Sequence, residues 1–277
     1  MSSQHDEIKI GVESIVRALV DDVGVRAAAN SSYEVLKSNP LYTSLVSEEL
    51  FRLSFFQQRI VESLGKGWEL LIALVAQRRL GYAVAGYKIR GNVRSGRLKR
   101  IRQVIGKLQL NSYKEEGEKE RPDWEKELAY VLAGKGELLP VIVDCGVYAK
   151  NKRGNERYVF ELEAPLPNSD QTKVSKEKIL KLYAMEPVQV DGAYYALPYN
   201  PYGRKENYAW SFPSRWFNMK EDEVVLIGDE FWEKVGGKGT YQSFINAVNE
   251  IGKDYRDRIY REFLGIEPPS SGDDARL

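Results

Sequence analysis

Cysteine and histidine are nearly missing: Cys145 and His5 are the only ones among 277 residues. A single thiol can neither close an internal disulfide nor build a thiolate zinc site, so a reducing cytoplasmic setting is expected. His5 sits in a polar N-terminal leader and reads as surface. That excludes a Ser-His-Asp triad, a Cys-His pair and any histidine-built metal centre. Any enzymatic chemistry must therefore run on carboxylates, lysines and borrowed cations. The start MSSQHDEIKI lacks the basic and apolar regions of an export signal, and no apolar run reaches membrane-spanning length. The segment from Glu267 to Leu277, rich in Pro, Ser, Gly and Asp, reads as a disordered tail.

Acidic residues are missing too, but only locally. The whole chain carries 41 Lys and Arg against 40 Asp and Glu, for a formal charge of +1. From Leu70 to Lys114 there is no acid, while Arg78, Arg79, Lys88, Arg90, Arg94, Arg97, Lys99, Arg100, Arg102, Lys107 and Lys114 supply eleven positive charges. Taking those eleven from +1 leaves −10 for the remainder. A single-sign stretch interleaved with Tyr82, Tyr87, Gly86, Gly91 and Gly96 suits a surface that follows phosphates, the glycines letting backbone approach closely. A solvated face or loop is the plainer alternative.

Apolar periodicity predicts helices over Asp6 to Ala28, from the cap Ser47 to Leu64, and over Trp68 to Arg79. Around Arg121-Pro122-Asp123 a charged loop enters a helix from Trp124 to Ala133. The pattern then changes to strands over Leu138 to Val147, Arg157 to Glu163, Ala193 to Leu197 and Val224 to Ile227. Lys173 to Ala184 is a basic amphipathic helix, Phe231 and Trp232 open a short one, and Tyr241 to Leu264 forms a long closing one. The expected architecture is a single α/β domain over residues 1–266 with a mixed central sheet flanked by helices. Within it, residues 1–120 are mainly helical and basic and residues 121–266 hold the core with the carboxylates.

Asp144 closes the apolar run Pro140-Val-Ile-Val-Asp144, where an unpaired charge would be costly. Seventeen positions on, Glu161-Leu-Glu163 follows Phe160. Strand alternation puts Glu161 and Glu163 on one face and sends Phe160 and Leu162 to the other. A turn around Asn151 to Gly154 would bring Asp144 beside this pair. Three converging carboxylates require a divalent cation, and oxygen ligands suit magnesium. An exposed strand face bonded to nearby lysines is the alternative.

An Asp on one strand with Glu-x-Glu on the next resembles the PD-(D/E)xK nuclease core. The segments Phe160-Glu-Leu-Glu-Ala-Pro-Leu-Pro-Asn168, Asp170-Gln-Thr-Lys173, Ser175-Lys-Glu-Lys178-Ile-Leu180, Leu197-Pro-Tyr-Asn-Pro-Tyr-Gly203, Phe231-Trp232 and Gly236-Gly-x-Gly239-Thr-Tyr241 resemble the TdeIII-like family of type II restriction endonucleases, which recognises GGNCC. The similarity spans residues 120 to 264. It implies a prokaryotic, magnesium-dependent enzyme that hydrolyses double-stranded DNA within a short palindrome and leaves 5′-phosphates. Asp144 and Glu161 would hold the metal, and Glu163 would join them or orient the attacking water. The superfamily pattern has lysine where this chain has Glu163, so a catalytically silent DNA-binding relative and a DNA repair nuclease of the same fold are the alternatives. Lys173 or Lys176 would supply the missing cation, with phosphate clamping without catalysis as the alternative, and Glu62 or Glu69 an outer carboxylate, with ordinary surface helix positions as the plainer reading.

Asn168 and Gln171 are candidates for holding the scissile backbone. Reading a GG/CC half-site calls for arginine forks that reach guanine O6 and N7. Arg204, Lys205 and Asn207, in a loop shaped by Pro201 and Gly203, lead this group, followed by Arg215 and then by Arg94, Arg97 and Arg100. The aromatics Trp210, Phe212, Trp216 and Phe217 read as core packing. A palindromic target implies a two-fold homodimer, and the restriction role implies a cognate DNA methyltransferase in the host.

Overall fold

The computed structural model describes residues 67–111 and 121–258 continuously, with 6, 9–14, 17, 18, 21, 40–45, 47, 50, 260, 261 and 266–268 in addition. His5, Glu62, Lys114, most of the segment from Ser47 to Leu64 and the tail beyond residue 268 lie outside these residues. The described part of the first predicted helix is helical, and Ser47 Oγ accepts a hydrogen bond from the Leu50 amide at 3.4 Å.

The chain divides into two compact units, residues 1–71 with 242–277 and residues 72–241. In the first, Lys9 pairs with Glu250 at 2.9 Å, and the Trp68 and Phe244 rings lie 5.1 Å apart. The second contains the sheet. Its strands are β1 (Gly81–Arg94), β2 (Leu138–Asn151), β3 (Arg157–Leu162), β4 (Met185–Glu186), β5 (Gly192–Leu197) and β6 (Val225–Ile227). They lie in the order β4-β1-β2-β3-β5-β6. The helices are α1 (Ser95–Asn111), α2 (Trp124–Leu132), α3 (Ser169–Tyr183), α4 (Asp229–Gly236) and α5 (Thr240–Arg258). This is the mixed α/β architecture of a restriction-endonuclease-like fold.

The antiparallel half comes from short connections. β2 turns into β3 at Asn151 to Asn155, where the Asn151 amide bonds Glu156 O at 2.8 Å and Asn155 takes φ 64°. β3 and β5 are parallel and so need a crossover, which α3 provides. The helix starts where it does because Asn168 and Gln171 form a reciprocal capping box: each side chain accepts from the other's amide, at 2.8 and 3.2 Å. Its inward face buries Ile179, Leu180 and Leu182. On the opposite side of β3, Phe160 stacks on Tyr194 at 5.6 Å and meets Phe231 of α4 at 5.7 Å. β3 is therefore covered on both sides.

Two elements of the acid-free stretch differ from the sequence expectation. The acid-free stretch contains a full strand, β1, and a 17-residue helix, α1. Charge hides their apolar signal, yet Ile101, Val104, Ile105 and Leu108 are buried at helical spacing. Gly96 of this stretch serves close packing. A Cβ on Gly96 would lie 2.0 Å from Lys135 O, and one on Gly134 2.5 Å from the Arg97 amide, so this pair lets α1 and the end of α2 touch backbone to backbone. Gly86 takes φ 64° at the one interior position of β1 without a partner in the β2 register.

Candidate active site

The carboxylates sit on β2 and β3 near the middle of the sheet. β1 pairs Lys88 with Asp144, and Lys88 Nζ reaches Asp144 Oδ1 at 3.2 Å with both side chains largely exposed. On β2 the buried Val143, Cys145, Val147 and Ala149 alternate with the exposed Asp144 and half-buried Tyr148, so Asp144 stands on the open face. Burial pushes the Cys145 thiol up to about 12, which keeps it unreactive.

The β2–β3 register pairs Val147 with Phe160, and continuing it sets Gly146 opposite Glu161. Glu161 is only 4% exposed because α3 covers its face. Its Oε2 accepts from Lys178 Nζ at 2.8 Å, while its Oε1 is buried without a hydrogen-bond partner. Burial raises its pKa above the usual carboxylate value, opposed by Lys178 and by the nearby Gly146 backbone amide. Glu163 follows at the strand end, its amide bonded to Ala196 O at 3.0 Å and its Oε1 accepting from Ser175 Oγ at 2.8 Å. Burial raises its pKa as well, opposed by the Ser175 bond, and the Glu161 charge adds to the rise.

Each carboxylate thus has its own partner: Lys88 for Asp144, Lys178 for Glu161, Ser175 for Glu163. Among the described residues no three metal-ligating side chains form a group close enough to share an ion. These local partners offset the mutual repulsion of the like charges. The donors themselves fit a hard divalent ion: they are oxygens, and the orphaned Glu161 Oε1 is an acceptor awaiting a partner.

The lysines of α3 diverge. Lys173 Nζ bonds Gln109 Oε1 at 2.8 Å. Lys176 is fully buried, paired with Glu127 and the Trp216 carbonyl, and lies 4.7 Å from the centre of the Phe217 ring. Burial lowers its pKa. Lys181 pairs with Glu177. Lys178 is the α3 lysine that touches one of the carboxylates, and reading the sequence did not single it out. The signal was there: Ser175 and Lys178, one helical turn apart, face Glu163 and Glu161, two strand residues apart.

A second feature missed in the sequence is a clamp on the segment between β3 and α3. Tyr208 Oη donates to Pro165 O at 3.1 Å, Trp210 Nε1 to Pro167 O at 2.9 Å and Trp216 Nε1 to Ser169 Oγ at 2.9 Å. Trp216 and Phe217 are buried as expected, Trp210 is partly so, and Phe212 is 48% exposed.

The candidate base readers fall into two groups. Arg94 and Arg97 both grip Glu186, and Arg97 also donates to the Leu132 and Ala184 carbonyls. Arg100 donates to Tyr130 O and covers the Tyr130 ring at 4.7 Å. Lys205 is tied to Val225 O and Glu230. These four hold the fold together. Arg204 and Asn207 are exposed and Arg215 half-buried, and their side chains make no hydrogen bond or ion pair among the described residues. Asn168 and Gln171 form the α3 cap. Glu69 is in the helix spanning residues 67–80, half-buried.

A mixed sheet with an Asp and a Glu-x-Glu on adjacent central strands, and a helix returning over them, defines a nuclease of the restriction-endonuclease class. The family described as type II restriction endonuclease, HinfI, matches residues 2–252, and the chain belongs to it. The type II restriction enzyme HgiCII of Herpetosiphon aurantiacus is 26% identical over 250 residues, 88% of this chain and 87% of that protein. HgiEI of the same organism is 27% identical over 221 residues, 77% of each chain. The protein is accordingly a site-specific endonuclease acting on DNA. Among the described residues no helix is long and apolar enough to cross a membrane.

Proposed function

We propose that this endonuclease is a magnesium-dependent homodimer that cuts double-stranded DNA at GGNCC and leaves 5′-phosphates. The observation that carries the catalytic part is the buried, half-satisfied Glu161 between Asp144 and Glu163. Asp144 and Glu161 would hold the ion, and Glu163, two residues on, would join them on a shift of its side chain or take a proton from the attacking water. Bound there, magnesium would polarise the scissile phosphate and lower the pKa of a water. The chain's own contribution is placement. The capped start of α3 and the Tyr208, Trp210 and Trp216 clamp fix the segment after Glu163, while Ser175 sets the Glu163 carboxyl.

GGNCC rests on the segment resemblance to the TdeIII-like family. Arg204, Asn207 and Arg215 are the preferred readers because their polar groups remain uncommitted, whereas Arg94, Arg97, Arg100 and Lys205 already bind within the fold. A palindrome favours a two-fold dimer in which each subunit cuts one strand.

Purified protein incubated with phage DNA and magnesium tests this directly. Discrete fragments whose ends map to GGNCC are expected, with no cutting in chelator. Fragments mapping elsewhere would overturn the specificity. DNA that is retarded but uncut would favour a silent binder, and cleavage confined to branched substrates a repair nuclease. Asp144→Ala and Glu161→Ala are expected to abolish cutting while sequence-specific binding remains, and full activity in either would refute the metal assignment.

A further inference from the structure

We propose that Lys178 is a cation of this active site in its own right, beside the Lys88 that pairs with Asp144: it holds Glu161 and would serve the scissile phosphate once a divalent ion draws on that carboxylate. The inference rests on the reading of Asp144 and Glu161 as metal ligands and deepens it.

The geometry points to Lys178 in three ways. Glu163 occupies the strand position where the superfamily pattern has a lysine, so a positive charge must come from elsewhere. Of the α3 lysines, Lys173 is bonded to Gln109, Lys176 is buried against Glu127, and Lys181 is paired with Glu177. Lys178 alone among these four meets a carboxylate of the cluster, at 2.8 Å from Glu161 Oε2. Finally, its side chain is 31% exposed while that of Glu161 is 5% exposed. Lys178 is therefore the more accessible partner of a buried anion.

Lys178 holds Glu161 Oε2 while Oε1 has no hydrogen-bond partner, so a divalent ion at Oε1 would draw on the same carboxylate charge and weaken the hold of Lys178. Were an ion to draw on Glu161, the flexible four-carbon stem of Lys178 would let its ammonium turn to a bound phosphate. A positive group aimed at developing phosphate charge acts strongly in such a site.

The test uses full-length protein in three forms: wild type, Lys178→Met and Lys178→Arg. Single-turnover cleavage with magnesium should fall by about 10²- to 10³-fold in Lys178→Met. Lys178→Arg, which keeps the charge, should recover most of it. The second readout needs no catalysis. Calcium added to the DNA-free protein should raise the melting temperature of Lys178→Met more than that of wild type, because the competitor for Glu161 has gone. Wild-type cleavage by Lys178→Met, or a calcium shift no larger than that of wild type, would overturn the proposal. Should Lys178→Met fail to fold, Lys178→Gln keeps the length and polarity of the stem and takes its place in both measurements. Glu161→Gln separates the two levels. If it cuts at the wild-type rate, the metal-site reading itself fails. If it is inactive while Lys178→Met cuts normally, only the role of Lys178 falls.

Discussion

Glu163 is the residue at which this chain leaves the superfamily pattern, and its surroundings say what the departure costs. The side chain is half-buried, accepts one hydrogen bond from Ser175 and feels the Glu161 charge, all at the end of an apolar strand. Its folded pKa is raised above 4.5, so between 4.5 and the folded value the native state holds more protons than the unfolded one. Stability contributed by this group therefore falls as pH rises through that window and stays lower above it. Glu163→Gln keeps the acceptor for Ser175 and cannot ionise. In chelator, the variant should melt above wild type at neutral pH, with the gap closing as pH drops below the ordinary glutamate value. A gap independent of pH would refute the account. Placing Glu163 on β3 beside Glu161 was possible from alternation alone. Its link to Ser175, and that of Glu161 to Lys178, was not, because sequence spacing cannot say which face of the next helix returns over the strand.

At the level of elements, strands with uninterrupted β-branched and aromatic residues declared themselves: β2, β3, β5 and β6 each fall within a few residues of their predicted places. α3 begins four residues before the Lys173 start that its amphipathic pattern predicts, because the polar Asn168-Ser-Asp-Gln171 carries no apolar period and is the capping box itself. β1 and α1 went unseen because eight of the eleven cations of the acid-free stretch lie on exposed or half-exposed positions of these two elements and mask a sparse apolar period. β4 is two residues long and offers no pattern at all. The capping box makes a separable prediction. Asn168→Ala should lower unfolding free energy by about 0.5–2 kcal/mol, read by urea denaturation. Asn168→Asp should keep the cap and the stability, since a carboxylate accepts the same amide at a helix N-terminus. If Asn168 also faces the DNA backbone, as proposed, the Asp variant will bind DNA more weakly than wild type despite its intact fold. Equal binding would leave Asn168 as a cap alone.

For the whole molecule, a net charge of +1 conceals an acid-free stretch of +11, which holds β1 and α1, opposed to −10 elsewhere. What the structure adds is a division of labour within those cations. Arg94, Arg97 and Arg100 are committed to Glu186 and backbone carbonyls, so removing one should cost stability by stranding its partners. Arg90, Lys99 and Arg102 are exposed on β1 and α1. If these three contact phosphates, replacing all of them with glutamine should release fewer counterions on binding and reduce the slope of log affinity against log salt by up to about 0.9 per lost contact, about 2.7 in total. The melting temperature should change little. Sequence preference should survive, because phosphate contacts set position and affinity while base contacts set specificity. Binding measured over a salt series in calcium, without cleavage, gives both quantities at once. An unchanged slope would mean that the acid-free stretch serves the fold alone and that the DNA approaches the carboxylates from the Arg204 and Arg215 side.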